Sequence, residues 1–185
     1  MKTLYIFLSR TDSIVSKTVR LFTKTYYTHA SIAFDEELVL LYSSGRKKGI
    51  KMFPAGPCQE SLYCGFFGRD AHTPCVLYAL EVTEEAYNKA KEEIDLFMEN
   101  INDYKFSVLG VAACKLGIKV KRTNKFFCSE FVAEILTRSG AITLPKDPCL
   151  THPKDYQSLP NVKKIYEGTI GDLREKIENK EAVTV

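Results

Sequence analysis

Residues 124–140, NKFFCSEFVAEILTRSG, carry the strongest local pattern in this 185-residue chain and decide its fold. After Cys128 the apolar residues recur at the three- and four-residue spacing of an amphipathic helix, and Gly140 is a typical helix stop. The apolar positions are Phe131, Val132, Ile135 and Leu136. The charged positions on the opposite side, which we expect to be solvated, are Glu130, Glu134 and Arg138. The pattern predicts a helix over residues 129–139 whose apolar side is docked on a core.

Cys128 stands at the N-terminal end of that helix. The first backbone N–H groups of a helix have no partner within it, and together with the helix dipole they favour an anion. A thiol at such a position is favoured as the nucleophilic thiolate, and the N–H groups can face a developing oxyanion. A free cysteine is also often a small buried apolar residue. Position alone leaves both interpretations of Cys128 open.

His29 begins a predicted strand over residues 29–34. Alternation along the strand places His29, Ser31 and Ala33 on one face. Small residues beside a histidine leave room for a neighbouring element, although a lone histidine on a strand is often purely structural. The other two histidines lie in a long loop and just before a proline, where loop, capping or surface roles fit better.

The cysteine and the histidine predict more together than either does alone. A cysteine at a helix N-terminus packed against a histidine on a strand is the papain-like way of activating a thiol. The histidine takes the thiol proton and later gives a proton to the leaving group. We therefore expect Cys128 and His29 to form one nucleophile–base pair.

The rest of the chain predicts an α+β fold, a small mostly antiparallel sheet packed against helices, in one domain over residues 1–185. Strands are predicted at residues 3–8, 29–34, 38–43, 75–82 and 162–168. Helices are predicted at residues 13–24, 84–101, 108–116, 129–139 and 172–179, with a further turn at 153–159. The helix over residues 108–116 is expected to be buried. Residues 54–74, rich in proline and glycine, are expected to form a long loop, either over a site or as a surface excursion.

Composition excludes several classes of protein. Hydrophobic residues make up 45% and charged residues 26% of the chain, which is ordinary for a folded domain and excludes a disordered one. A net charge of +3 is too small for a typical nucleic-acid-binding surface, so no nucleic-acid partner is expected. No apolar run approaches the roughly 20 residues of a membrane span. The apolar run at residues 4–8 is too short for a signal peptide, so a cytoplasmic location is expected.

The six cysteines predict neither disulfides nor a metal site. A reducing compartment keeps thiols free, and no CxxC occurs in the chain. Four residues of one segment are possible zinc ligands, but their spacing lacks the tight knuckle of structural zinc sites. These residues are Cys58, Cys64, His72 and Cys75. We therefore predict no metal and no cofactor, and we expect Cys114 and Cys149 to be structural thiols.

The motifs THASIAF and FFCSEFVAEIL resemble the circularly permuted branch of the NlpC-type papain-like superfamily, the YiiX/YaeF-like group. In unpermuted members the cysteine helix precedes the histidine strand, whereas here His29 precedes Cys128. The similarity covers residues 4–138, and it implies a permuted papain-like arrangement. It also implies a cysteine hydrolase for amide or ester bonds, with peptidoglycan-derived peptides or acyl-lipids among the substrates. In this resemblance Cys128 matches the nucleophile and His29 matches the base.

Family members usually carry a third polar residue, His, Glu, Asn or Gln, on the strand after the histidine strand, where it orients the imidazole. If residues 29–34 and 38–43 form a hairpin with a three-residue turn, His29 faces Ser43. With a two-residue turn it faces Tyr42. Neither is a usual family residue, but either hydroxyl can accept a hydrogen bond from the ring. Ser43 is thus the candidate third residue, and another residue or a water molecule stays open for this role.

These observations favour a cysteine amidase or peptidase that acts on a small-molecule or peptide substrate through Cys128, His29 and Ser43. One alternative is an acyltransferase or thioesterase of the lecithin retinol acyltransferase-like type, although no strong amphipathic membrane helix is evident. Another is a non-catalytic ligand-binding module that kept the fold, and the unusual third residue is its best support.

Two basic clusters lie close in sequence to the histidine strand and the cysteine helix. The clusters are Arg46, Lys47 and Lys48, and Lys119, Lys121, Arg122 and Lys125. They suit a substrate that bears a carboxylate or phosphate, or they are ordinary solvated surface charges.

Overall fold

The computed structural model describes residues 1–10, 26–46 and 55–183. The strands are β1 (Lys2–Ser9), β2 (His29–Ala33), β3 (Leu41–Arg46), β4 (Ala55–Glu60), β5 (Pro74–Val82), β6 (Lys105–Phe106), β7 (Lys125–Phe126) and β8 (Val162–Thr169). The α-helices are α1 (Gly65–Arg69), α2 (Glu84–Glu99), α3 (Val108–Lys115), α4 (Cys128–Arg138) and α5 (Ile170–Val183). Two 3-10 helices span Pro148–Leu150 and Pro153–Ser158. The helix predicted over residues 13–24, and Lys47 and Lys48, lie outside the described residues.

Six of the described strands form one antiparallel sheet, in the order β4-β3-β2-β1-β5-β8. The two short strands β6 and β7 form a separate parallel pair. In the register of β1 and β2, Ser9 lies opposite His29, so the histidine stands at the end of the ladder. The predicted α+β class, with an antiparallel sheet packed against helices, is confirmed.

Apolar side chains cover both faces of the sheet, as alternation along the strands requires. On one face, β1 and β2 contribute Leu4, Ile6, Leu8, Ala30 and Ile32 to a core that also contains residues of α2 and α4. On the other face, Phe7 and Leu77 pack with residues of α1 and α5. Each large side chain that is fully buried in this way stabilises the fold by about 1.5–3 kcal/mol. The sheet is therefore held between two layers of helices.

The helix α2 corresponds to the helix predicted over residues 84–101. Thr83 caps it, because its hydroxyl accepts a hydrogen bond from the Ala86 backbone N–H at 3.1 Å. Its apolar residues recur at three- and four-residue spacing and face the core, with Ala90, Ile94 and Phe97 buried. The cap and the stripe thus agree on where the helix begins and which side it buries.

The helix α4 is docked as predicted, but two of the three residues of its charged stripe are buried. The exposed fractions of Glu130 and Glu134 are only 2% and 5%. Glu130 turns back to accept a hydrogen bond from the Phe127 backbone N–H at 3.3 Å. Glu134 receives one from Nε of Arg138 at 2.8 Å. The expectation of a solvated stripe was wrong for Glu130 and Glu134, because neighbouring elements cover them and local partners satisfy both carboxylates, whereas Arg138 is exposed as expected.

The long loop predicted over residues 54–74 was also wrong, since it contains β4 and the short helix α1. Proline and glycine lowered the apparent strand propensity of residues 55–60. An edge strand tolerates proline because one row of its backbone groups has no partner strand, and β4 is the edge of this sheet. Pro57 and Gly56 therefore lie opposite Ser44 and Gly45 of β3 within a regular ladder.

The hairpin between β2 and β3 has a longer turn than predicted. Ile32 pairs with Tyr42 and Ala33 with Leu41, so neither predicted register is the one observed. The Asp35 carboxylate accepts hydrogen bonds from backbone groups in the turn, and Leu38 adopts a positive φ of 54° with its side chain fully buried. Burial of Leu38 within the turn makes the connection between β2 and β3 longer than the polar run at residues 35–37 indicates.

The helix α3 is not the buried helix that its apolar sequence predicted. Only Gly110 and Cys114 are buried in it, and Val108 and Leu109 are 52% and 61% exposed. No helix within residues 1–10, 26–46 and 55–183 is both long and apolar enough to cross a bilayer.

Candidate active site

Cys128 is the first residue of α4, immediately after the extended backbone of Phe127. Its side chain is 9% exposed, and Sγ lies 3.8 Å from the backbone oxygen of Thr28, just before β2. The chain enters the helix through β7, whose Phe126 oxygen accepts a hydrogen bond from the Ser44 hydroxyl at 2.7 Å. A hydrogen bond from strand β3 thus fixes the segment that places Cys128 near the end of β2.

The imidazole of His29 lies within hydrogen-bonding reach of the Cys128 thiol. Burial by itself disfavours a charged imidazole, but the negative charge of Glu60 and hydrogen bonds with Cys128 and Glu60 outweigh it. Together these interactions raise the pKa of His29 to about 10. The geometry therefore favours a protonated imidazolium beside the Cys128 sulfur at neutral pH.

Glu60, the last residue of β4, holds the other side of the same ring. Its Oε2 and Oε1 atoms lie 3.0 Å and 3.1 Å from Nε2 of His29. The Ser31 hydroxyl donates to Oε2 of Glu60 at 2.7 Å and fixes the carboxylate. A hydrogen bond between ionised partners is about twice as strong as a neutral one, so Glu60 is the dominant partner of this nitrogen.

Ser43 also contacts the ring, at the nitrogen that faces Glu60. Its Oγ lies 3.2 Å from Nε2 of His29, and its hydroxyl proton goes to the Ala30 backbone oxygen at 3.0 Å. Ser43 can therefore only accept from the ring. It supports the imidazole as a neutral neighbour, whereas the ionic contact comes from Glu60.

The space that holds the His29 imidazole, called here the slot, is bordered by Gly45, which has no side chain, and by the aromatic ring of Phe67. A Cβ atom added to Gly45 would lie 3.5 Å from Cε1 of His29 and 3.7 Å from Oε1 of Glu60. The Phe67 ring of α1 lies with its centroid 6.2 Å from that of the imidazole. A side chain longer than alanine at position 45 would therefore displace the His29–Glu60 pair.

The two ring nitrogens of His29 have different roles. Nε2 is directed to Glu60, Ser31 and Ser43. A donor proton on Nε2 leaves Nδ1 as the nitrogen that exchanges a proton with Cys128. This is the arrangement that a cysteine nucleophile needs: a base beside the sulfur and an acid-type residue that holds the base.

All three residues predicted for the site, Cys128, His29 and Ser43, are brought together, and Glu60 is the residue that sequence reasoning missed. The proline- and glycine-rich residues 54–74 predict a loop, and a loop gives no reason to align Glu60 with the histidine. A signal was present, since Glu60 and Asp70 are the only carboxylates in that segment. A search for an acidic partner there would have left two candidates.

Three of the other cysteines have raised thiol pKa values, and a fourth is exposed. Burial raises the pKa of Cys75 and Cys114 to about 12 and that of Cys149 to about 11. Cys114 lies 3.7 Å from Nε2 of His152, but burial also lowers the pKa of that histidine, so both groups are neutral there. Cys64 is exposed on the surface.

The four residues with possible zinc chemistry are spread over β4, the start of α1, a turn and β5. Among the residues that the structure describes, no group of three or more His, Cys, Asp or Glu side chains could hold a metal ion. All six cysteines lie in the described part of the chain, and all are free.

Comparison with known proteins adds no relative: no family model matches the chain, and no curated protein sequence matches it. The chemistry of the site is therefore argued from its own side chains.

Proposed function

We propose that this chain is a papain-like cysteine hydrolase, an amidase or peptidase that acts on amide or ester carbonyls. The observation that carries the proposal is the continuous contact from Cys128 through His29 to Glu60 at the N-terminus of α4. Nucleophile, base and orienting carboxylate come from three separate elements, which is the relationship that thiol activation requires.

In the proposed mechanism the Cys128 thiolate attacks the substrate carbonyl carbon, and the carbonyl oxygen becomes an oxyanion. Backbone N–H groups in the first turn of α4 stabilise that charge. The His29 imidazolium gives its proton to the leaving amine or alcohol, and the carbonyl carbon remains bound to sulfur as a thioester. Water then attacks the thioester while His29 takes one of its protons. The acid product leaves, and the thiolate–imidazolium pair is restored.

Glu60 is proposed as a positioning residue in this cycle. Its contact with Nε2 keeps the other ring nitrogen toward sulfur and substrate, and its charge favours the imidazolium. Glutamate is also one of the residue types usual in this role in the permuted NlpC-type family that the sequence resembles, although Glu60 lies on β4, one strand beyond the usual position. Glu60 thereby fills the role that the hairpin residues Ser43 and Tyr42 left open.

The resemblance further supports peptidoglycan-derived peptides or acyl-lipids as candidate substrates. A cytoplasmic location is part of the proposal, and the six free cysteines support it because such thiols persist in reducing compartments.

The test is the rate of alkylation of each cysteine by iodoacetamide, measured by mass spectrometry between about pH 5 and pH 9 around the free-thiol pKa of about 8.5. Near pH 6, Cys128 is expected to be the fastest-reacting of the six cysteines, although it is far less exposed than Cys64. Loss of the base in His29→Ala is expected to slow Cys128 at least about tenfold at that pH.

Cys64 is the control within the same molecule, since it is an exposed thiol and should react at an ordinary rate in every variant. If Cys128 reacts no faster than Cys64 and ignores the loss of His29, the Cys–His pair is inactive. The chain would then be a ligand-binding module instead. If Cys128 is activated, the product formed from an ester substrate, with and without an added amine or alcohol acceptor, separates hydrolysis from acyl transfer.

A further inference from the structure

The outer side of α3 and the turn after it form a continuous apolar surface, called here the α3 face. Val108, Leu109, Leu116 and Ile118 are 52%, 61%, 69% and 53% exposed. Ala112 is exposed between them. Val108, Ala112 and Leu116 are spaced four residues apart, so they lie in one row along the helix.

This pattern is the reverse of that of an ordinary surface helix, which turns charged residues to solvent. The buried positions of α3 are the small residues Gly110 and Cys114, while its exposed positions are apolar. Single exposed leucines are common, but a contiguous apolar surface marks a site of interaction.

The segment of chain that contains the α3 face carries charges of one sign. Residues 104–129 contain six basic and no acidic residues, in a chain whose two charge types are otherwise nearly balanced. The basic residues are Lys105, Lys115, Lys119, Lys121, Arg122 and Lys125. Lys119 pairs with Asp147 at 2.6 Å, and the side chain of Lys121 is exposed at the surface. Apolar residues are thus flanked by cations.

The buried side of α3 packs against the segment that precedes Cys128. The Ser107 backbone N–H, at the start of α3, donates to the Phe126 oxygen at 3.1 Å. A Cβ atom added to Gly110 would lie 3.1 Å from Cδ1 of Phe127, the residue before the cysteine. The helix that bears the α3 face is thus anchored, through its buried side, on the segment that leads into α4.

We propose that the α3 face docks this protein on the surface of an anionic lipid bilayer. Aliphatic side chains of Val108, Leu109 and Leu116 would enter the boundary between headgroups and acyl chains. The flanking lysines would contact the anionic headgroups, whose negative potential attracts basic segments. The charge complementarity favours this occupant over a second copy of the chain, because two copies would bring the same cations together.

Docking on the bilayer goes beyond the proposed hydrolase and does not depend on it. The interaction uses no atom of Cys128, His29 or Glu60. A Cys128→Ser variant is therefore expected to bind vesicles as the original chain does, and an inactive thiol would leave the docking proposal intact.

The test is co-sedimentation of the full chain with vesicles of phosphatidylcholine alone or with about 30% phosphatidylserine. Binding is expected to the anionic vesicles and to weaken when salt rises from about 0.1 M to about 0.5 M. The double variant L109E/L116E is expected to lower the partition coefficient at least about tenfold.

Leu96→Glu is the matched control, because Leu96 is 53% exposed on α2, outside the α3 face. It should bind as the original chain does, and circular dichroism should show both variants folded. Lys121→Glu should weaken binding to anionic vesicles, while Lys163→Glu, an exposed site on β8, should not. Absence of sedimentation with anionic vesicles, or equal binding by L109E/L116E, would overturn the proposal. A concentration-dependent dimer abolished by L109E/L116E, without vesicle binding, would instead assign the face to a second copy.

Discussion

Glu60 presents both carboxylate oxygens to Nε2 of His29, at 3.0 Å and 3.1 Å, and the same imidazole also interacts with the Cys128 thiol. The two residues come from different strands with β3 between them. Because Gly45 of β3 has no side chain, the carboxylate reaches across that strand to the imidazole. The contact is the source of the raised pKa of His29, and it can be tested without a known substrate.

Glu60→Gln keeps an oxygen that accepts from Nε2 but removes the negative charge. We expect the pKa of His29 to fall from about 10 by at least about one unit, because the charged partner no longer favours the imidazolium. NMR titration of the imidazole C–H signals measures this, with His29 assigned through His29→Gln. Glu81→Gln, an exposed change on β5, should leave the His29 signal unchanged. A His29 pKa that is the same in Glu60→Gln would rule out Glu60 as the source.

Reactivity of Cys128 should follow the same charge. Alkylation near pH 6 is expected to be at least about tenfold slower in Glu60→Gln, since a weaker imidazolium stabilises less thiolate. In Ser43→Ala the loss should be only about two- to fivefold, because a neutral hydrogen bond is worth about 1 kcal/mol. A larger loss in Ser43→Ala than in Glu60→Gln would mean that Ser43, and not Glu60, is the main partner of the ring.

The slot for the imidazole should show a size limit at position 45. Gly45→Ala is expected to leave alkylation of Cys128 within about twofold, because the added Cβ lies at ordinary contact distances from His29 and Glu60. Gly45→Val adds two further methyl groups and should slow alkylation at least about tenfold by separating the pair. Thermal unfolding of both variants shows whether the fold is kept, and a fully reactive Gly45→Val would refute the slot.

The buried Glu130 should make stability depend on pH near neutrality. Burial raises its pKa from 4.5 to about 7. The hydrogen bond from the Phe127 N–H lowers the pKa, whereas the charge of nearby Glu134 raises it further. A carboxyl group with a raised pKa binds its proton more tightly when folded. The free energy of unfolding should therefore fall as pH rises from about 4.5 to about 7 and stay lower above that.

Glu130→Gln removes this titration and keeps an oxygen for the cap. It should be more stable than the original chain above pH 7, by about 1–3 kcal/mol, and no more stable below about pH 4.5. Urea unfolding at several pH values measures the difference. Glu99→Gln, exposed at the end of α2, is the control and should give no such pH-dependent gap. A constant gap across this range would show that Glu130 does not titrate as stated.

Much of the fold could be predicted because local periodicity and caps act within a few residues. Thr83, the stripe of α2 and the apolar side of α4 follow from spacing alone. Cys128 and His29 were recognisable because a helix start and a strand start are both local features. Two of the failures arise from pairing and packing outside the local segment: β4 exists because β3 pairs with it, and Glu130 is buried because other elements cover α4.

By itself the sequence determined the α+β class, the helix that begins at Cys128 and the strand that begins at His29, since side-chain periodicity fixes which face an element buries. Only the tertiary structure decided the partner of the imidazole, because Glu60 reaches His29 through the pairing of β4 with β3 at a register that turn length alone does not fix. Only the tertiary structure, likewise, left the apolar residues of α3 exposed. Hydrophobicity states what a helix gains from burial, but the packing of the other elements decides whether anything is there to cover it.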